Sequence, residues 1–383
     1  MNRRGYGAVV VAVAVLLSTV GSGVAHAGRG GDRWRLQGAL DDLRELGVVG
    51  AQGQVSAGAG SVTARSGVAD RATGVPMPRV GAFRIGSDTK TFVSVVVLQL
   101  VGERRLALDD TVERWLPGVV AGNGNDGRRV TVRQLLQHTS GIANYTDDMV
   151  ALATEEGFLA HRFDHYEPAD LVAMAMRHEP VPHWHYSNTN YVLAGMIVKA
   201  VTGQSWAEQV RRRILGPLGM RDTFFPGDEA SLPPRAARAY QQFGAGAALV
   251  DVTEFNATAA DASGGLVSTT ADLDRFWRAM QQGRLLRPAQ QADLHRTVLA
   301  EGYQDIRHGI GYGLGIFHVP NRCGGYWGHP GDVPGTSTFT AVRDDGMKAV
   351  VVYRTTALAD GAASDARVMG LVDDVMCDPA ASG

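Results

Sequence analysis

Apolar positions recur with two different periods along the chain, and the period changes mark its organisation. The stretch "VSAGAGSVTARSGVAD" (55–70) reads as two strands around small-residue turns, leading into "FRIGS" (83–87). Next comes "DTKTFVSVVVLQL" (88–100), apolar on nearly every side as a buried helix is. "LALDDTVERWLPG" (106–118) follows as a turn and short helix closed by Pro117 and Gly118. From about 119 to 286 helical spacing dominates, in "TVRQLLQHTSGI", "EPADLVAMAMRH", "YVLAGMIVKAVTG", "SWAEQVRRRILGPLG" and "TTADLDRFWRAMQQG". Beyond about 310 the period shortens. "GYGLGIFHV", "GTSTFTAVR" and "MKAVVVYRT" read as strands, the last two joined as a hairpin at "DDG", before a final helix "ASDARVMGLVDDVM".

Strands at both ends with helices between them predict an α/β fold of the α+β type. The simplest arrangement is an antiparallel sheet flanked by helices, with an all-helical inserted domain. Residues 28–118 and 287–383 would form the sheet domain and 119–286 the helical one.

The first 27 residues change the picture of where the protein works. "MNRRG" gives a positive start, "AVVVAVAVLLSTV" an apolar run, and "AHA" at Ala25–Ala27 a small-residue cleavage pattern. The run is short for a membrane span of about 20 residues. The expectation is a signal peptide over 1–27 and a mature, secreted, extracellular chain with no membrane span. The full chain has a formal charge of −2, −4 without Arg3 and Arg4 of the signal, and no basic patch interleaved with aromatics, which argues against nucleic acid as a partner. The two cysteines, Cys323 and Cys377, suit an oxidising destination and a disulfide, with two buried thiols as the alternative.

Lysine usage directs attention to the chemistry. Of 37 basic residues only Lys90, Lys199 and Lys348 are lysine, the other 34 being arginine. Arginine stays protonated in proteins, whereas a buried lysine can lose its proton. Lys90 follows Ser87 by three residues, so the two share a helix face. Serine needs an activating base, and the chain contains no "GxSxG" elbow to supply a histidine. Lys199 and Lys348 are adequately explained as surface residues. A second element, "HWHYSNTNYVLAGM", places Tyr186 and Asn188 two apart before an apolar helix. A cationic lysine beside Tyr186 would pull its phenol below its usual value of about 10 and make it a base. Asn188 can hold a substrate amide and the lysine together, or simply cap the helix. In the third element, "YWGHPGDVPG", a strand opening with His329, Pro330 and Gly331 would turn His329 to a cleft and let backbone approach a ligand at Gly331. His161, His165, His183 and His185 match no ligand spacing, so no metal is expected.

In this order and at these separations the three elements resemble the serine penicillin-recognising enzymes, in the branch of class C β-lactamases and D-alanyl-D-alanine carboxypeptidases. Ser87 and Lys90 match the family's S-x-x-K, Tyr186 and Asn188 its Y-x-N, and His329 with Gly331 part of its K/H-[TS]-G. "DDTVERWLPG", "LLQHTSGI" and "GGLVSTTADLDRF" are similar to the family as well. The resemblance implies a β-lactamase/transpeptidase-like fold with its site between sheet and helical insert. It implies Ser87 as the acylated nucleophile, Lys90 and Tyr186 as shared base, and Asn188 as positioner of the substrate amide. It further implies His329 as a polarising group and the N–H groups of Ser87 and Asp332 as the oxyanion hole. No cofactor is implied.

Two departures bear on substrate choice. Pro330 replaces the hydroxyl residue of K/H-[TS]-G and Asp332 the Ser or Thr often found next, both of which usually help to bind a free carboxylate. Asp332 places a negative charge there instead, and the preceding strand shows Ile316 and Phe317 where carboxypeptidase relatives tend to have arginine. The expected function is a secreted serine hydrolase acting through an acyl-enzyme, first a D-alanyl-D-alanine carboxypeptidase-like peptidase. Ester hydrolysis ranks second and β-lactam hydrolysis third. A catalytically idle peptidoglycan-binding homologue is the reading from another class. The expected partners are small-molecule or peptide substrates, including peptidoglycan stem peptides, and the chain is expected to be a monomer. If His329 carries charge, activity should change around pH 6–7.

Overall fold

All seven residues of "KAVVVYR" are buried, because the strand they form is covered on both faces. In this computed structural model, which describes residues 21–378, Val350 and Val352 point to one apolar cluster while Ala349, Val351 and Tyr353 point to another. That is the two-residue alternation of a strand inside a sheet. The apolar run of the export-signal reading, residues 8–20, lies outside the described residues.

The main sheet has eight strands, five of them long: β1 (Gly50–Ala57), β2 (Gly60–Gly67), β3 (Tyr326–Val333), β4 (Thr336–Val342) and β5 (Lys348–Arg354). Their order is β2-β1-β5-β4-β3, followed by the short strands Phe317–Val319, Gly311–Tyr312 and Val298–Leu299, all antiparallel. The N-terminal hairpin thus joins the C-terminal strands through β1 and β5, as the terminal placement of strands predicts. "GYGLGIFHV" is interrupted rather than continuous. Gly315 turns at φ 83°, and its backbone lies so close to Ser94 and Tyr191 that a Cβ would fall 2.2 Å from Ser94 Oγ. "HPGD" lies inside β3 rather than opening it.

Helices α1 (Gly21–Glu45) and α5 (Ala362–Met376) cover one face of the sheet. On the other lies α4 (Thr270–Gln281), whose Phe276 ring stacks on Phe92 of α2 (Thr89–Gly102) at 3.7 Å. Eleven of the 14 residues of α2 are buried, which explains why its sequence has no polar face. α2 also packs on α3 (Thr189–Thr202), which ends at Gly203 in the left-handed conformation. Helices are the main regular elements of 119–286, and short strands near its end pair back onto the sheet part: Tyr240–Gln242 with Thr356–Ala357, and Val267–Ser268 with Phe83–Arg84.

Cys323 and Cys377 form a disulfide, tying the turn before β3 to the end of α5. Lys348 corrects the surface assignment. It is 1 % exposed and donates to the carbonyls of Val375 and Asp378 at 2.8 and 2.7 Å, satisfying the C-terminal end of α5. Lys199 is exposed, as expected. Among the described residues no helix is long and apolar enough to cross a membrane.

Candidate active site

Ser87 lies on the single 3₁₀ turn Gly86–Asp88 that leads into α2, half-buried and facing a cleft, while Lys90 one turn on has no exposed surface. The turn is held from below. Asp88 is fully buried and accepts hydrogen bonds from Trp277 of α4 at 3.1 Å and Thr340 of β4 at 2.9 Å. Burial pushes its carboxyl well above the usual carboxylate range. β3 crosses the turn at backbone distance. A Cβ on Gly331 would lie 1.9 Å from the Ile85 carbonyl, and one on Gly86 (φ 52°) 2.7 Å from the Asp332 nitrogen. Glycine at both positions is what brings the backbones of Ser87 and Asp332 together.

The Lys90 amine sits 2.9 Å from Ser87 Oγ, and it donates to Asn188 Oδ1 at 2.6 Å and the Ser263 carbonyl at 2.8 Å. Burial pushes this amine well below its ordinary value. A neutral amine at hydrogen-bond distance from a serine hydroxyl has the geometry of a general base. Asn188 stands at the N-terminus of α3, yet its side chain makes no capping bond, so the capping alternative is excluded. Its own N–H donates to Asn144 Oδ1 at 2.9 Å.

Tyr186 is brought to the same place, with its side chain hydrogen-bonded to Ser87, but its expected charge state is wrong. Its phenol moves well above 10, chiefly through burial, with Tyr303 adding to the shift. The Lys90 amine lies over the Tyr186 ring, 4.8 Å from the centroid, and burial disfavours the charge that would oppose this shift. Tyr186 is therefore a protonated phenol in the resting site.

His329 is also brought into the cluster and is also corrected. It is 1 % exposed, and burial lowers it to about 3. Its Nδ1–H donates to the Pro330 carbonyl at 2.6 Å, which leaves Nε2 to accept from the Tyr312 hydroxyl at 3.1 Å. A neutral imidazole contributes dipoles and shape here, not charge. Gly331 and Asp332 follow it along β3, Gly331 buried against the turn and Asp332 open to the cleft.

His138 was missed. It ends the helix Val132–Gln137 with φ 61°, is fully buried, and its Nδ1 accepts from Ser187 N at 3.2 Å. Its ring lies 4.3 Å from that of Tyr186, so it fixes the Tyr-Ser-Asn turn from behind. The signal was present in "LLQHTSGI", where a histidine stands beside a Thr-Ser-Gly turn. Arg322, the arginine next to the site in sequence, is exposed and pairs with Asp374 at 3.5 Å.

The sequence profile of the Beta-lactamase family matches residues 35–374. The chain belongs to this family. It is a serine hydrolase, as the family's esterases, amidases and penicillin-binding proteins are. Penicillin-binding protein 4 of Amycolatopsis lactamdurans is 29% identical over 304 residues, covering 73% of this chain and 76% of its own. Esterase EstB of Burkholderia gladioli is 36% identical over 216 residues, 54% of each chain. Among solved structures, a D-stereospecific amidohydrolase from Streptomyces sp. superposes with a TM-score of 0.80 at 38% identity, covering 91% of this chain and 98% of that one. The D-amino acid amidase of Ochrobactrum anthropi SV3 gives 0.77 at 28%, covering 90% and 99%. Beta-lactamase family membership accounts for the antiparallel sheet with flanking helices and for the cleft in which Ser87 stands.

Proposed function

We propose that this chain is an exported serine hydrolase that opens amide bonds of D-amino acid derivatives and peptides through an acyl-enzyme on Ser87. The observation that carries the chemistry is the buried Lys90 amine, its charge disfavoured by burial, 2.9 Å from Ser87 Oγ. Ser87 Oγ attacks the carbonyl carbon as its proton passes to Lys90, and the N–H groups of Ser87 and Asp332 receive the oxyanion. Tyr186, already protonated, gives a proton to the departing nitrogen and recovers one from Lys90 as the C–N bond breaks. Water then attacks the ester by the reverse route, releasing the acid and restoring Ser87.

The choice of D-amino acid substrates is supported by the likeness to the Streptomyces amidohydrolase over most of both chains. A cavity of about 310 Å³ beside Ser87 and Asn188, walled by Tyr145, Met149, Phe158 and Phe255, suits a large apolar acyl side chain. This narrows the carboxypeptidase-like expectation to amides and peptides of bulky D-residues. The likeness to EstB favours esters with the same acyl group as a second substrate class.

The test is intact mass spectrometry and product analysis with a fluorophosphonate, D- and L-phenylalaninamide, D-phenylalanine methyl ester, a D-Ala-D-Ala peptide and a penicillin. We expect one covalent adduct on wild type, located at Ser87 and missing in Ser87→Ala, with turnover of D- but not L-phenylalaninamide. No adduct with any of these reagents would overturn the acyl-enzyme reading. Turnover of the L-amide at the same rate would overturn the stereochemical one.

A further inference from the structure

A second cavity, of about 190 Å³, lies between the edge of the sheet and α5. It does not contain Ser87, but Asp332 borders both cavities. The two therefore meet at the strand segment that passes the nucleophile. Ser87 and Asn188 face the first, which makes that side the acyl side. His329 and Tyr303 line the second, and the Tyr186 ring lies 6.3 Å from each of theirs. The group that protonates the leaving atom thus stands toward the second cavity.

The charges there are unusual for a place that would receive a C-terminal carboxylate. Arg354 is the one cation among the lining residues, and it is 7 % exposed and makes three hydrogen bonds to neighbouring side chains. Nη1 donates to Ser364 Oγ, and Nη2 to Ser337 Oγ and to Asp365 Oδ1, each at 2.6 Å. Asp365 pairs with it, and Asp332, hydrogen-bonded to the same Ser337 and also facing Arg354, is a second carboxylate at the mouth, while His329 is neutral. Ile306, Phe317 and Phe339 give the walls a largely apolar surface. Two buried hydroxyls among the lining residues, Tyr326 and Thr338, have no hydrogen-bond partner among the described residues, so neutral polar groups of a ligand have acceptors and donors waiting.

We propose that this cavity is the leaving-group subsite and that it selects a leaving residue whose far end is neutral, an amino acid amide or an internal peptide residue, against one ending in a free carboxylate. The proposal rests on the acyl-Ser87 reading and deepens it: the enzyme is an amidase and endo-acting D-peptidase rather than a carboxypeptidase. A carboxylate entering the cavity meets two carboxylates, Asp332 and Asp365, around the one cation Arg354, which already faces both, and like charges at such range repel.

The experiment compares kcat/KM for D-Phe-D-Ala-amide and D-Phe-D-Ala on the full mature protein, wild type, Asp332→Asn and Asp365→Asn. Taking the ratio within each variant cancels any general loss of activity. We expect wild type to favour the amide by about tenfold or more, the size of one close like-charge contact. Asp332→Asn should narrow the ratio by removing the repelling charge. Asp365→Asn should narrow it by another route, releasing Arg354 to meet the carboxylate. In wild type, salt should also narrow it by screening. A wild-type ratio near one or favouring the free acid would overturn the proposal, as would a ratio unmoved in both variants. Both substrates give the same D-phenylalanyl enzyme, which the methyl ester also forms. An adduct without the expected ratio sinks only the subsite, whereas absence of the adduct sinks the acyl-enzyme reading and the subsite with it.

Discussion

Lys90 has no exposed surface, three hydrogen-bonding neighbours and an amine held well below its usual value, and these facts have a consequence for stability. In the unfolded chain the same amine titrates near 10.4. Between its folded value and that value the unfolded state binds more protons, so this residue makes stability rise with pH and costs most on the acid side. Lys90→Met removes this dependence. Urea denaturation from pH 6 to 9 should show wild type gaining stability relative to Lys90→Met as pH rises, and a parallel pair of curves would contradict a neutral lysine. Activity should fall on the acid side as Lys90 becomes protonated. His329, lowered to about 3, is neutral from pH 5 to 8. The rate profile over that range should contain no inflection that disappears in His329→Gln, the reverse of what its reference value suggests. The positions of the serine, lysine, tyrosine and asparagine were legible from spacing. Their protonation states were not, because burial by Tyr303, Tyr312 and His138 comes from segments remote in sequence.

At the level of elements, the site is made where β3 crosses the turn before α2. Gly331 has no room for a methyl group, since the obstacle is the Ile85 carbonyl and not a mobile side chain. Gly331→Ala should displace the Ser87 turn from Asp332 and lower kcat by about 10²-fold or more, as misplacements near 1 Å do. Stopped-flow acylation and a melting curve on the same sample separate that effect from unfolding. Retained wild-type acylation would show that the crossing is not what sets the oxyanion geometry. The motif "HPGD" identified a close approach but not its partner, because the partner turn lies more than 200 residues earlier. His138 shows the same limit: its segment was recognised, and only its contact with Tyr186 and the Ser187 amide gives it a role.

Across the whole molecule, the C-terminal helix is fastened to the sheet edge at one end by the Cys323–Cys377 bond and by Lys348 beneath it. The bond closes a segment of sequence separation 54, for which chain entropy gives about 4 kcal/mol of stabilisation. The double variant Cys323→Ser with Cys377→Ser should lose stability of that order in guanidinium titration. A loss below about 1 kcal/mol would mean that the helix is held by packing alone. The same helix carries Asp365 and Met369 into the wall of the second cavity, so its placement bears on substrate choice as well. If the export signal is cleaved as the sequence suggests, mass analysis of protein recovered from the culture medium should give a chain beginning at Gly28; a chain retaining the apolar run would refute the export signal.

The sequence by itself determined the alternation of strands and helices, the antiparallel sheet built from both termini, and the candidate serine–lysine pair. Each of these depends on local period or on short spacings along one element. Only the tertiary structure decided that Tyr186 and His329 are uncharged and that Lys348 is buried. It alone showed that Arg354 is already paired with Asp365 beside Asp332. Charge in a protein is set by desolvation and by neighbours brought together from distant parts of the chain, and no spacing along the sequence records either.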